Sequence, residues 1–311
     1  MRRLLKIDLV SFEIPGITTE KSNDFALTGD QLRAKIEELH AKGLHPYYLT
    51  VTIGTTNTCA IDDFESIAQV AKDYPDIWIH CDAAYAGAAL VLPEYHHLAQ
   101  HMSLKRRDLT DALSITPAYL RNQFSDSGLV TDYRDWQIPL GRRFRSLKIW
   151  FVIRTWGVEG LHQHIRSHLR LGQIFTDLVR SRSDLFTILV QPRFALTVLA
   201  VNPRRKQHHQ SGGDENIHGT GTDPRPYELQ HLPLGAEEPS SQEIEQANEI
   251  TKEVYTAIDA RKDFFLTASV VGDTYAIRVV SANPLAAEKY VREVFGQLVE
   301  EAEKAFQRRG M

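Results

Sequence analysis

Asp82 follows an apolar run, Ile77-Trp78-Ile79-His80-Cys81, and precedes the small-residue stretch Ala83-Ala84-Tyr85-Ala86-Gly87. A carboxylate at a strand end can keep a pyridine nitrogen protonated, and small residues beside it let a flat ligand approach the backbone. Gly54-Thr55-Thr56 breaks an earlier apolar run, 47–53, and offers two hydroxyls. Tyr119 lies between Pro117 and the polar stretch 121–126. A phenol on such an exposed loop can serve as a general acid once the loop closes. Arg134 and Gly141-Arg142-Arg143-Phe144-Arg145 form a basic cluster, and His164 and His168 are four residues apart, a metal-ligand spacing without a third ligand. Each has a plainer role: Asp82 as a turn former, Thr56 bonding its own backbone, Tyr119 as surface, Arg143 and Arg145 as helix caps. No metal site is expected.

These residues need elements to hold them. Residues 47–53 alternate β-branched and aromatic side chains and predict a strand. A helical repeat over 62–72 (Phe64, Ile67, Val70, Ala71) and a second strand over 77–81 complete a right-handed βαβ crossover in a parallel sheet. Ligands of open α/β sheets bind beyond the carboxyl ends of such strands, so Gly54-Thr55-Thr56 and Asp82 share one rim. Upstream, Thr28-Gly29-Asp30 caps a helix over 31–42, which Gly43 ends. Downstream the pattern predicts a helix over 150–180, a strand over 194–201, a helix over 243–261, a strand pair over 264–271 and 274–280, and a last helix over 285–307. Residues 203–241, rich in Gly, Pro, His and Gln, read as a long flexible loop.

With 311 residues, 42% of them hydrophobic, the chain can bury a substantial core and is long enough for two domains. A net charge of −4 argues against a nucleic-acid partner. Cys59 and Cys81, the two cysteines, read as buried reduced thiols. No apolar run reaches the length of a membrane span, and Asp8 and Glu13 interrupt the start where a signal peptide would need apolar residues. The expectation is a cytoplasmic protein.

Several blocks carry a resemblance: 50–87 with its Asp82-Ala83-Ala84-Tyr85-Ala86-Gly87, then Pro93-Glu94, 108–113, Tyr119-Leu120, and the long run 126–148 from Asp126-Ser127-Gly128 to Ser146-Leu147-Lys148. Through them the chain resembles the group II decarboxylases that depend on pyridoxal 5'-phosphate (PLP), specifically the aromatic-L-amino-acid (dopa, tyrosine, tryptophan) decarboxylases. The resemblance implies an α/β fold of the PLP-dependent aminotransferase-like kind (fold type I). Its large-domain remnant, with a mainly parallel sheet, would occupy 1–155 and include a mobile catalytic loop at about 114–140. A small α+β C-terminal domain would occupy 156–311. The implied activity is decarboxylation of an aromatic L-amino acid to its amine, in a homodimer whose mobile loop reaches the partner's site.

The resemblance also implies roles. Asp82 faces the pyridine nitrogen, Ala84 packs on the ring face, and Thr56 bonds near the ring's phenolic oxygen. Tyr119 closes over the site and returns a proton to the substrate carbon; relatives with phenylalanine there make aldehydes instead. Arg134 and Arg142 order the loop. The chain departs from the pattern at one place inside it. The Asn-Pro-His-Lys turn that carries the Schiff-base lysine has no counterpart: the sequence passes from His101 through Met102 to the block that begins at Ser103, whose Lys105 aligns elsewhere. The serine-rich phosphate turn and the ring-stacking histidine have no counterpart before residue 47 either. The alternative expectation is therefore an inactive truncated paralogue, or a defective gene model, that at most binds a partner chain.

Overall fold

A computed structural model describes residues 25–101, 127, 143–203 and 240–310. The helix α1, Gly29–Ala41, starts at a reciprocal capping box: the Thr28 hydroxyl accepts from Gln31 N–H while the Gln31 side chain accepts from the Thr28 N–H. Strand β1, Tyr48–Thr52, helix α2, Phe64–Ala71, and strand β2, Trp78–Asp82, follow in order. β1 and β2 pair in parallel, Thr52 opposite Asp82, so the strand–helix–strand reading of the sequence holds. Leu49 and Val51 of β1 face Leu32 and Ile36 of α1 and Ile67 and Val70 of α2, forming one small core. The side chains between them, Tyr48 and Thr50, are exposed, as period-two alternation demands. Two short 3₁₀ segments, Ala86–Val91 and Pro93–Ala99, follow.

The second layer is antiparallel. Helix α3, Ser146–Ser181, is broken once at Gly157, where φ is +61°. Strands β3 (Phe186–Ile188), β4 (Leu196–Val201), β5 (Thr267–Val271) and β6 (Thr274–Val280) pair in the order β3-β4-β6-β5. Helices α4, Ser241–Arg261, and α5, Glu288–Arg308, close over this sheet. Phe175 and Val179 of α3, Leu199 of β4, Ile250 and Val254 of α4, Ile277 of β6 and Leu298 and Phe306 of α5 form a single core. Burying one such side chain stabilises the fold by about 1.5–3 kcal/mol. β4 is buried along its whole length, so both of its faces are covered.

One element differs from its expected bounds for a physical reason. The apolar run from 194 predicts a strand, but Phe194 and Ala195 have φ of +46° and +62°, and β4 begins only at Leu196. Arg193 and Leu196 exchange two backbone hydrogen bonds around them (2.9 and 3.3 Å), so the pair forms the tip of a two-residue turn. Such turns favour Asn-Gly because both central residues need positive φ. β3 has no counterpart in the expected elements. By contacts the chain forms two compact units, 1–100 with 162–311, and 101–161. Tyr119, Arg134, Arg142, Lys105 and nearly all of the 203–241 stretch lie outside the described residues.

Candidate functional site

The rim is built at the carboxyl ends of β1 and β2. After β1, Gly54 turns with φ of +80°, and Gly54 and Thr55 N–H both donate to the Ala60 carbonyl at 3.0 Å. The Thr55 hydroxyl accepts from Ala60 N–H at 3.0 Å and pairs with the Thr58 hydroxyl at 2.8 Å. Thr55 is thus the threonine that bonds its own turn. Thr56 is exposed at the tip. A Cβ on Gly54 would lie 2.5 Å from Ala86 Cβ, so the loop after β1 presses directly on the loop after β2. Only glycine tolerates both the positive φ and that approach.

The loop after β2 carries Asp82. Its carbonyl accepts from Ile53 N–H at 2.8 Å, which continues the ladder onto the rim. Its side-chain Oδ1 accepts from Ala84 N–H at 3.0 Å, a local turn that fixes the carboxylate's direction. Asp82 and Ala84 are both exposed, and no cation among the described residues pairs with the carboxylate. Beneath the rim, the buried Asp62 accepts from Leu27 N–H at 2.8 Å and Thr52 N–H at 2.7 Å. Burial pushes the Asp62 carboxyl up, against the downward pull of those two N–H groups.

Two residues escaped the sequence reading. Tyr85 is largely buried and donates its O–H to the Phe194 carbonyl at 3.0 Å; burial drives its phenol well above the usual tyrosine range. Arg278 of β6 donates from Nη1 to the Thr267 hydroxyl at 2.9 Å, while its Nε is buried without a hydrogen-bond partner among the described residues. Its charge reaches the Tyr85 phenol, whose ionised form it favours. Position in the motif marks Tyr85 in the sequence, but nothing local marks Arg278. Elsewhere, His164 and His168 meet edge to face at 4.3 Å between ring centroids, and His168 Nε2 donates to the Asn283 carbonyl at 3.1 Å. No metal-binding group of three exists among the described residues. Cys59 is buried and Cys81 half-buried, and neither forms a disulfide.

The geometry suits one side of a flat heteroaromatic cofactor. An exposed carboxylate is aimed by a backbone N–H, small residues flank it, and a threonine stands on the neighbouring loop. The described part of the rim, residues 53–63 and 83–101, holds no lysine. Among the described residues the fit to such a group therefore stops at the carboxylate and the small residues beside it.

Comparison with known proteins bears on the family and the fold. The family described as the pyridoxal-dependent decarboxylase conserved domain matches residues 10–106 and 101–201, two stretches that meet where the resemblance breaks. The chain is 34% identical over 311 residues to phenylacetaldehyde synthase of a Rosa hybrid cultivar, covering 92% of this chain and 55% of that protein. It is 40% identical over 182 residues to aromatic-L-amino-acid decarboxylase of Cavia porcellus, covering 51% of this chain and 38% of that protein. The chain spans about half the length of the curated relatives it matches. Among solved structures, Catharanthus roseus tryptophan decarboxylase with L-tryptophan superposes at a TM-score of 0.70, with 29% identity, over 94% of this chain and 57% of that one. Oryza sativa TDC with PLP and tryptamine gives 0.71 at 29% identity, over 91% and 56%. The fold is thus that of the fold type I PLP enzymes, with a parallel sheet and a separate antiparallel one. The chain belongs to the pyridoxal-dependent decarboxylase family.

Proposed function

We propose that this chain is part of a PLP-dependent carboxy-lyase that converts an aromatic L-amino acid to its amine. The observation that carries this reading is the exposed, backbone-aimed Asp82 carboxylate on a rim of small residues. Relatives named as tyrosine, dopa and tryptophan decarboxylases support the substrate class.

When bound, the cofactor supplies an electron sink for the carbon that loses carbon dioxide. Asp82 holds the proton on the pyridine nitrogen, since a carboxylate beside a pyridinium favours its charged form. Ala84 leaves room for a ring face. Thr56 donates its hydroxyl toward the phenolic oxygen. Arg278, with an unsatisfied Nε, is the cation suited to a substrate carboxylate. Tyr119 delivers the proton to the substrate carbon, and Arg134 and Arg142 order the loop that brings it. We also place the boundary between large and small domains near residue 155. The working protein is a homodimer in the cytoplasm; no helix among the described residues is long and apolar enough to cross a membrane. Support for the dimer comes from the start of α3, where Ile149, Trp150, Phe151 and Ile153 are all more than half exposed.

A second reading has its own support. The family match falls in two stretches meeting at 101–106, and the described rim holds no lysine, so the chain as written is a catalytically inactive paralogue or a defective gene model that at most binds a partner chain. The deciding experiment adds PLP and an aromatic amino acid to the purified chain and follows absorbance and product. Amine, with a visible band that borohydride fixes covalently, supports catalysis. Free-PLP behaviour and no product supports the second reading, and aldehyde as product would sink the assignment of Tyr119.

A further inference from the structure

Among the described residues β2 pairs with β1 alone, and the Asp82 that ends it is exposed and its carboxylate accepts from one N–H, that of Ala84. The loop beyond it packs Ala86 against Gly54 and is hydrogen-bonded to a distant turn through Tyr85. We propose that Tyr85 is a positioning residue: its hydroxyl latches the 82–87 loop to the Phe194–Ala195 turn and so keeps the Asp82 carboxylate aimed.

The turn is a stiff anchor. Both of its central residues are held at positive φ without being glycine, a state that persists only where the surroundings over-determine it. Four contacts do so. The Tyr85 hydroxyl binds the Phe194 carbonyl at 3.0 Å. The Tyr95 ring lies 5.1 Å from the Phe194 ring. The Ala195 carbonyl accepts from Ser281 N–H at 2.9 Å. Gly172 of α3 comes so close that a Cβ there would lie 2.5 Å from Ala195 Cα. The turn leads directly into β4, the strand buried along its whole length. Through one hydrogen bond spanning 109 residues, the loop after β2 is tied to the turn before β4, which is buried at every position. Burial keeps the phenol protonated, so it remains a donor throughout the working range.

The role rests on the reading that Asp82 meets a cofactor nitrogen, and the test separates the two. Tyr85→Phe, Ala195→Gly and the double variant are made in the full chain. Amide exchange over 83–87, thermal midpoint, and affinity for PLP itself by absorbance titration are measured for each. A latch predicts that Tyr85→Phe speeds exchange over 83–87 and weakens PLP binding by about 2–10-fold, the loss of one neutral hydrogen bond. Ala195→Gly relieves the turn, so it should restore the midpoint of Tyr85→Phe but neither its exchange nor its affinity. It also keeps a folded comparison in hand if the single variant is too unstable. Unchanged exchange over 83–87, or affinity that returns with the midpoint in the double variant, overturns the proposal. Faster exchange in a chain that never binds PLP removes the cofactor reading and leaves the latch standing.

Discussion

A buried carboxylate with no cation beside it is costly, and Asp62 is one. It is kept because two backbone N–H groups, of Leu27 and Thr52, have no other acceptor. Those bonds tie the approach to α1 and the end of β1 to the start of α2. Asp62→Ala should lower stability by about 2–4 kcal/mol, since two buried donors lose their partner at once; a denaturant titration reads it. The pH dependence has a definite sign. Burial raises the folded-state value, so this residue's contribution is full below the ordinary carboxylate range and is lost as pH rises through the raised value. Asp82 behaves differently: it is exposed, and its removal should spare the fold. Asp82→Ala is expected to weaken PLP binding by roughly 10–100-fold, the worth of a hydrogen bond to a charged group, with an unchanged melting curve. A matching loss of stability would instead mark Asp82 as a turn former. At this scale, what the sequence makes legible is what is local. Asp82 and Thr56 announce themselves because strand ends fall beside them, whereas the Tyr85–Phe194 bond joins residues 109 positions apart.

Elements show the same division. The period-two and helical repeats place β1, α2 and β2 within a residue or two, because each buries one face against the others. The 194–201 run misleads at its start, since apolar character says nothing about the sign of φ. Gly172 is the missing clue: it lies on the α3 face opposite Ala195, where any side chain would strike backbone. Gly172→Ala should cost about 1–3 kcal/mol as an overpacking change, despite alanine's better helix propensity. A melting temperature equal to or above wild type would refute that contact. Four residues before Gly172, His168 supplies a pH response. Burial lowers its basicity, the neighbouring His164 lowers it further, and the Asn283 carbonyl only partly offsets them. A depressed histidine favours the fold above its ordinary range and withdraws that support as pH falls through the folded-state value. The midpoint should therefore drop on acidification from about pH 7.5 to about pH 5, and His168→Gln should flatten that slope.

At the scale of the whole molecule, the two sheets are completed to different degrees. The antiparallel sheet is roofed by α3, α4 and α5, and its core includes Phe175 and Phe306 at 1% and 0% exposure. Among the described residues the parallel pair has a core on one face only. Trp78 and Ile79 of its open strand remain 38% and 36% exposed. An open apolar edge of that kind invites further strands or another chain. The start of α3 is more open still: Ile149 is 63% exposed and Ile153 52%. Apolar surface of this extent on a water-exposed helix favours association, and a second copy of the chain is the partner that the family reading supplies. Light scattering behind size exclusion should accordingly find a species larger than one chain. Ile149→Asp with Ile153→Asp should shift it toward the monomer by placing two charges where desolvation would be required. The helix itself should survive, because both positions face solvent in the isolated chain. If wild type and variant elute alike as monomers, the start of α3 is not where copies meet, and the exposed edge of β2 becomes the surface to charge next.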